Sequence, residues 1–172
     1  RPPISTLFPS TTLFRSVDVP ALLQRVQRES QALGYGPRDV SVQIGEPLWI
    51  LGAESELYSA FSNLVFNAMR YTPDSGKVLI RWAANGEGAT LSVSDTGVGI
   101  ASEHLPRLTE RFYRVDRSRN RDSGGTGLGL AIVKHVLQRH AAELDVESEP
   151  GKGSTFTCSF PVERVTREAR IA

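Results

Sequence analysis

Asn63, Asn67 and Arg70 stand at i, i+4 and i+7 of a helical pattern, so they share one stripe beside its apolar side. A carboxamide oxygen of one of these asparagines can ligate Mg²⁺, a hard cation that prefers oxygen ligands and shares them with substrate phosphates. Arg70 would then stand near those phosphates as a charge partner. The same residues also fit a solvated face with two amides engaged in a local network. Asp95 is a second chemical group, closing an alternating apolar run and preceding Thr96-Gly97-Val98-Gly99-Ile100. A carboxylate only accepts hydrogen bonds. It would favour adenine, which offers a donor amine, and reject guanine, which presents an acceptor oxygen at the same place. Gly97 and Gly99 would let base and sugar approach the backbone. A plain Asp-Thr-Gly turn after a strand fits equally.

A third segment, Gly124-Gly-Thr-Gly-Leu-Gly-Leu-Ala-Ile-Val-Lys134, is a glycine-dense loop running into an amphipathic helix. Backbone N–H groups freed of Cβ atoms can face phosphate oxygens, and the positive helix end adds a favourable field. Between the last two segments, Arg111 to Arg121 mixes five arginines with Asp116, Phe112 and Tyr113. This reads as a mobile flap bringing Arg114 to a triphosphate. A nucleic-acid patch is the alternative, but the charge is local.

Several chemistries are excluded. No Gly-x4-Gly-Lys-Ser/Thr is present, the glycine spacing is not the dinucleotide fingerprint, and His135 and His140 lack the zinc-protease pattern. His104, His135 and His140 read as surface or packing residues. The 20 basic and 19 acidic residues leave a net charge of +1, so no global field draws the chain to nucleic acid or membrane. The single cysteine, Cys158, excludes an internal disulfide framework, fits a reducing compartment and reads as a packed strand residue. No apolar run approaches the ~20 residues of a membrane span.

The elements that must position these groups follow from periodicity. Asp18 is a helix N-cap with Leu22, Leu23, Val26 and Leu33 on one side. Val40–Ile44 alternates as a strand, with Pro47–Leu51 expected as its partner across Gly45-Glu46. Residues 54–72 form the strongest helix, stopped by Pro73; a hairpin turns at Asn85-Gly-Glu-Gly88. The stretch 95–125 is irregular, with a short helix expected at 106–111. A helix over 126–140 and a hairpin turning at Pro150-Gly-Lys-Gly153 close the chain, and Trp49 and Trp82 read as core. Helices on one face of such a sheet make an α+β two-layer sandwich. A long irregular connection within a compact domain is often a functional lid.

Three ranges are expected: a leader at 1–16, one domain at 17–163 and a polar tail at 164–172. The leader contains three prolines and no periodicity. Its Thr6-Leu-Phe-Pro-Ser-Thr-Thr-Leu-Phe-Arg-Ser16 closely resembles the translation of a sequencing-library adapter; a natural linker is the alternative.

Together the motifs resemble the catalytic ATP-binding domain of sensor histidine kinases. Asn63-Leu-Val-Phe-Asn67-Ala-Met-Arg-Tyr71 is similar to the N box and Asp95–Ile100 to the first glycine box. Arg111-Phe-Tyr-Arg114 resembles the F box, Gly125-Thr-Gly-Leu-Gly-Leu130 the second glycine box, and Gly151-Lys-Gly-Ser-Thr-Phe156 the last. Pro106–Asp116 with Gly129–His135 is similar in particular to the phosphate-regulon branch, which implies phosphate sensing.

The resemblance implies a Bergerat-type fold, a mixed sheet packed on helices, with ATP and Mg²⁺ as cofactors. It assigns Mg²⁺ ligation to Asn67 with Asn63 nearby, and adenine recognition to Asp95 among Gly97, Gly99 and Ile100. Arg70, Tyr71, Tyr113 and Arg114 would line phosphates and ribose; Gly125, Thr126, Gly127, Leu128 and Gly129 would form the lid hinge. Thr155 would reach the adenine end through water. Related ATPases carry Glu where this chain has Asn63, and an amide cannot serve as general base. Phosphoryl transfer with water kept out is therefore implied, with Asn63, Asn67 and Arg114 as its catalytic residues.

The expected partners are a phosphoacceptor dimerisation domain of the same kinase and a response regulator, with no nucleic acid. None of the three histidines has the acceptor context His-Glu or His-Asp. The chain is thus expected to be a cytoplasmic piece of an inner-membrane-anchored protein, monomeric and with little turnover alone. A non-catalytic nucleotide-binding module and an anti-sigma-factor-type serine kinase are the alternatives.

Overall fold

The computed structural model describes residues 13–33, 39–86, 88–115 and 127–168. Asp18 ends strand β1 (Arg15–Asp18) and caps helix α1 (Val19–Ala32), its carboxylate accepting the Ala21 N–H at 3.0 Å. Val19, Leu22, Leu23 and Val26 are buried; Leu33 falls after the helix end and is exposed, against expectation. Helix α2 (Glu54–Tyr71) buries Leu57, Phe61, Leu64, Val65 and Ala68, and ends before Pro73 as its pattern predicts.

Strands β2 (Asp39–Ile44), β4 (Lys77–Asn85), β5 (Gly88–Asp95), β6 (Glu143–Glu149) and β7 (Gly153–Phe160) form one mixed sheet in the order β2-β4-β5-β7-β6. Both expected hairpins are present, pairing β4 with β5 and β6 with β7 antiparallel. The expected pairing of 40–44 with 47–51 is not. β2 instead runs parallel to β4, with α2 in the crossover, and β3 (Trp49–Gly52) leaves the sheet. β3 lies between β1 and β8 (Val165–Thr166) in a small second sheet. The loop before β3 is pinned instead of turning as a hairpin: Gly45 N–H donates to the Trp82 carbonyl at 2.8 Å, and the Trp82 indole N–H to the Leu48 carbonyl at 3.1 Å. Arg15 and Ser16 pair with Gly52 and Leu51.

The core lies between the helices and the large sheet. Trp82 is fully buried, and Phe160 meets Trp82 and Phe61 edge-on. Trp49 is only half-buried. Cys158 packs inside, where burial pushes its thiol up to about 12. Alternation along β7 turns Ser154, Phe156, Cys158 and Phe160 towards the helices. The short helix expected at 106–111 is a 3-10 segment at Ser102–Arg107, and α3 (Gly129–Arg139) begins later than expected. His140, expected at the surface or in packing, is buried: its Nε2 accepts the Ala53 N–H at 3.0 Å and its Nδ1 lies 2.7 Å from the Val136 carbonyl.

Candidate functional site

On α2 the stripe Asn63, Asn67 and Arg70 is half-buried, flanked by fully buried Leu64, Ala68 and Met69. Asn63 donates through Nδ2 to the Ser59 carbonyl at 2.7 Å, which orients the carboxamide and leaves Oδ1 outward. Gly129 approaches that oxygen so closely that a Cβ would lie 2.9 Å from it. The glycine-rich entry to α3 therefore rests on the middle of α2.

Asp95 ends β5, whose alternation sends Val93 and Asp95 to the helix-facing side of the sheet. Its Oδ1 accepts the Gly97 N–H at 2.9 Å. Burial holds the carboxyl above its usual value, and the N–H groups of Gly97 and Ser154 pull it part of the way back. Gly97 abuts the end of α2: a Cβ there would fall 2.4 Å from the Tyr71 carbonyl, which accepts the Val98 N–H at 3.3 Å. The Tyr71 side chain is 41% exposed. Gly99 takes φ +72 and lies against the Glu149 carbonyl, where a Cβ would be 2.1 Å away. Ile100 is half-buried.

Phe112 and Gly127, on the two sides of residues 116–126, meet. Phe112, at φ 65, donates its N–H to the Gly127 carbonyl at 2.9 Å, and Gly127, at φ 74, packs on the Phe112 backbone. Tyr113 is engaged by other groups: His104 Nδ1 lies 2.5 Å from its hydroxyl, and the Arg107 guanidinium covers its ring at 4.4 Å. Leu128 caps α3 without a side-chain hydrogen bond. Gly125 and Thr126 lie outside the described residues.

Two polar atoms among the described residues are buried without a partner: Arg70 Nε and Arg114 Nη2. An unsatisfied buried donor is costly, and more so on a charged group. Both belong to arginines that the family resemblance assigns to phosphates, and an anion beside them would supply acceptors.

Thr155 is placed elsewhere. It lies opposite Ser94 on β5, its Oγ1 2.9 Å from Ser94 Oγ, on the sheet face away from the helices. Ser154, its buried neighbour, pairs with Asp95 and shares its face. Sequence reasoning missed Ser154 because the two hydroxyls differ only in strand parity, which the register Asp95↔Ser154 decides. It also missed Ser148, whose Oγ accepts the Ile100 N–H at 2.7 Å.

The first glycine loop, the N-box stripe and the start of α3 thus converge around α2. The family described as histidine kinase-, DNA gyrase B-, and HSP90-like ATPase matches residues 52–164. The chain is 56% identical to the phosphate regulon sensor protein PhoR of Pseudomonas aeruginosa over 92% of its own length and 36% of that protein. It is 40% identical to PhoR of Haemophilus influenzae over 86% of its length and 35% of that protein, so it spans about a third of these relatives. A solved mycobacterial sensor histidine kinase, MprB, superposes with a TM-score of 0.74 at 28% identity, over 86% of this chain and 97% of that one. The mixed sheet packed on helices is the Bergerat-type α+β fold of histidine kinase catalytic domains. The chain belongs to the histidine kinase-, DNA gyrase B- and HSP90-like ATPase family.

Proposed function

We propose that this chain binds Mg-ATP and passes the γ-phosphoryl group to a histidine on a separate dimerisation domain, in a phosphate-responsive two-component system. The observation that carries the reading is the pair of buried, unpartnered guanidinium nitrogens, Arg70 Nε on α2 and Arg114 Nη2 in the segment after the 3-10 turn. They fit phosphate oxygens by charge and by donor geometry. Bound ATP supplies the phosphoryl group, whose transfer forms a P–N bond at the acceptor and breaks the bond to the ADP oxygen.

The chain's own residues bind and orient. Asp95 faces the helix side as an acceptor suited to the adenine amine, with Ser154 beside it. Asn63 donates an amide proton to the Ser59 carbonyl and has no basic atom, so it does not activate water. Its oxygen and that of Asn67 fit a hard cation. Among the described residues no group of three or more His, Cys, Asp or Glu side chains could cage a metal, so Mg²⁺ here would depend on amides, water and phosphates together. Arg70 and Arg114 would stabilise charge on the transferring group.

Two of the chain's three histidines fit the acceptor role poorly. His140 is buried with both ring nitrogens engaged, and His104 is tied to Tyr113. Among the described residues no helix is long and apolar enough to cross a membrane.

The test is transfer in trans. The chain, radiolabelled ATP and Mg²⁺ are incubated with a helical domain carrying a His-Glu acceptor motif. Acid-labile, base-stable label on that domain is expected; label on serine, or ATP binding without any transfer, contradicts the reading.

A further inference from the structure

The β6–β7 turn touches the Asp95 loop at several points. Gly151 donates its N–H to the Val98 carbonyl at 2.8 Å. Gly99 lies against the Glu149 carbonyl, and a Cβ on Gly153 would fall 1.9 Å from the Asp95 carbonyl. At the centre stands Ser148, on the helix-facing side of β6.

The Ser148 hydroxyl makes three contacts. It accepts the Ile100 N–H at 2.7 Å, donates to the Gly153 carbonyl at 3.0 Å, and lies 2.7 Å from Ser154 Oγ. A serine hydroxyl has one proton and two acceptor sites. All three bonds coexist in one arrangement only: Ile100 N–H and Ser154 O–H both donate to Ser148, and Ser148 donates to Gly153. Ser154 then has no proton left and offers acceptor sites alone beside the Asp95 carboxylate, which also only accepts.

We infer that Ser148 is a positioning residue for the nucleotide site. It holds the Gly97–Ile100 loop against the β6–β7 turn and fixes the Ser154 hydroxyl as an acceptor next to Asp95. This rests on the ATP-binding reading. The expected consequence of losing it is a loose loop and a Ser154 hydroxyl free to rotate, with the fold intact, because the β6–β7 ladder is closed by backbone bonds.

The test compares Ser148→Ala and Ser148→Thr with the wild-type chain. Amide hydrogen exchange at Ile100 is read without nucleotide, so failure of the tether and failure of ATP binding give different results. Affinity is then read with a fluorescent ATP analogue, and folding by thermal melting. Ser148→Ala should speed Ile100 exchange and weaken the analogue about tenfold, the cost of one lost hydrogen bond at a site that needs a fixed loop. Its melting temperature should stay close to wild type, and Ser148→Thr, which keeps the hydroxyl, should restore both signals. Wild-type exchange at Ile100 in Ser148→Ala overturns the inference. So does a lowered melting temperature with affinity unchanged, which would mark Ser148 as structural only.

Discussion

Gly129 opens α3 directly against the Asn63 carboxamide, leaving 2.9 Å between the site of a missing Cβ and Asn63 Oδ1. The start of α3 and the proposed Mg²⁺ site are therefore one packing unit. A methyl group on Gly129 must displace the amide and strain its bond to the Ser59 carbonyl. Alanine is also the better helix former, by up to about 1 kcal/mol. Gly129→Ala should therefore melt no lower than wild type while phosphoryl transfer falls about ten- to hundredfold, as for a small misplacement of a catalytic group. Parallel melting and transfer assays check this; unchanged transfer would show that the contact has no catalytic weight.

Asp95 is held at a cost, since burial raises its carboxyl above the ordinary value and two N–H groups only partly offset this. Removing the charge should relieve the apo fold and harm the complex. Asp95→Asn should lower ATP affinity by about 1.5–3 kcal/mol, the range for a charged hydrogen bond in a buried site. The apo protein should melt at or above the wild-type temperature. Titration with the fluorescent analogue and a nucleotide-free melt read the two halves, and unchanged affinity contradicts base recognition by this residue.

His140 links the end of α3 to the start of α2 as a neutral ring, accepting from Ala53 and donating to Val136. Burial lowers its value from 6.5; the Val136 bond and Glu56 oppose that shift, while Arg164 and Arg139 reinforce it. The unfolded chain thus takes up the proton first as pH falls. Stability should be whole above about pH 6.5 and decline below it, down towards the lowered folded value. In His140→Gln, which can accept and donate without titrating, this part of the pH slope should vanish. Equal slopes for both proteins between about pH 7 and about pH 5 would refute the role.

The N-box stripe, Asp95 and both hairpins were legible because each rests on a local period: 3.6 along α2, and 2 along β4, β5, β6 and β7. β3 departs from its expected pairing for the same reason. Gly45-Glu46 has the local look of a hairpin turn, but β2 finds its partner in β4, beyond the whole of α2, and only tertiary packing selects that. Thr155, expected at the adenine end, lies on the opposite face from Asp95, because sequence spacing does not fix strand register and one position changes the face. Ser148 and His140 carried no sequence signal, being an ordinary strand serine and an ordinary helix-end histidine. Their roles come from segments tens of residues away.

Titration with ATP, once with Mg²⁺ and once in chelator, of wild type and Asn67→Ala tests most directly whether this stripe of α2 holds a metal-bound nucleotide. Wild type should bind more tightly with Mg²⁺, and Asn67→Ala should lose that advantage while matching wild type in chelator. An equal loss under both conditions, or wild-type affinity indifferent to Mg²⁺, would contradict the assignment.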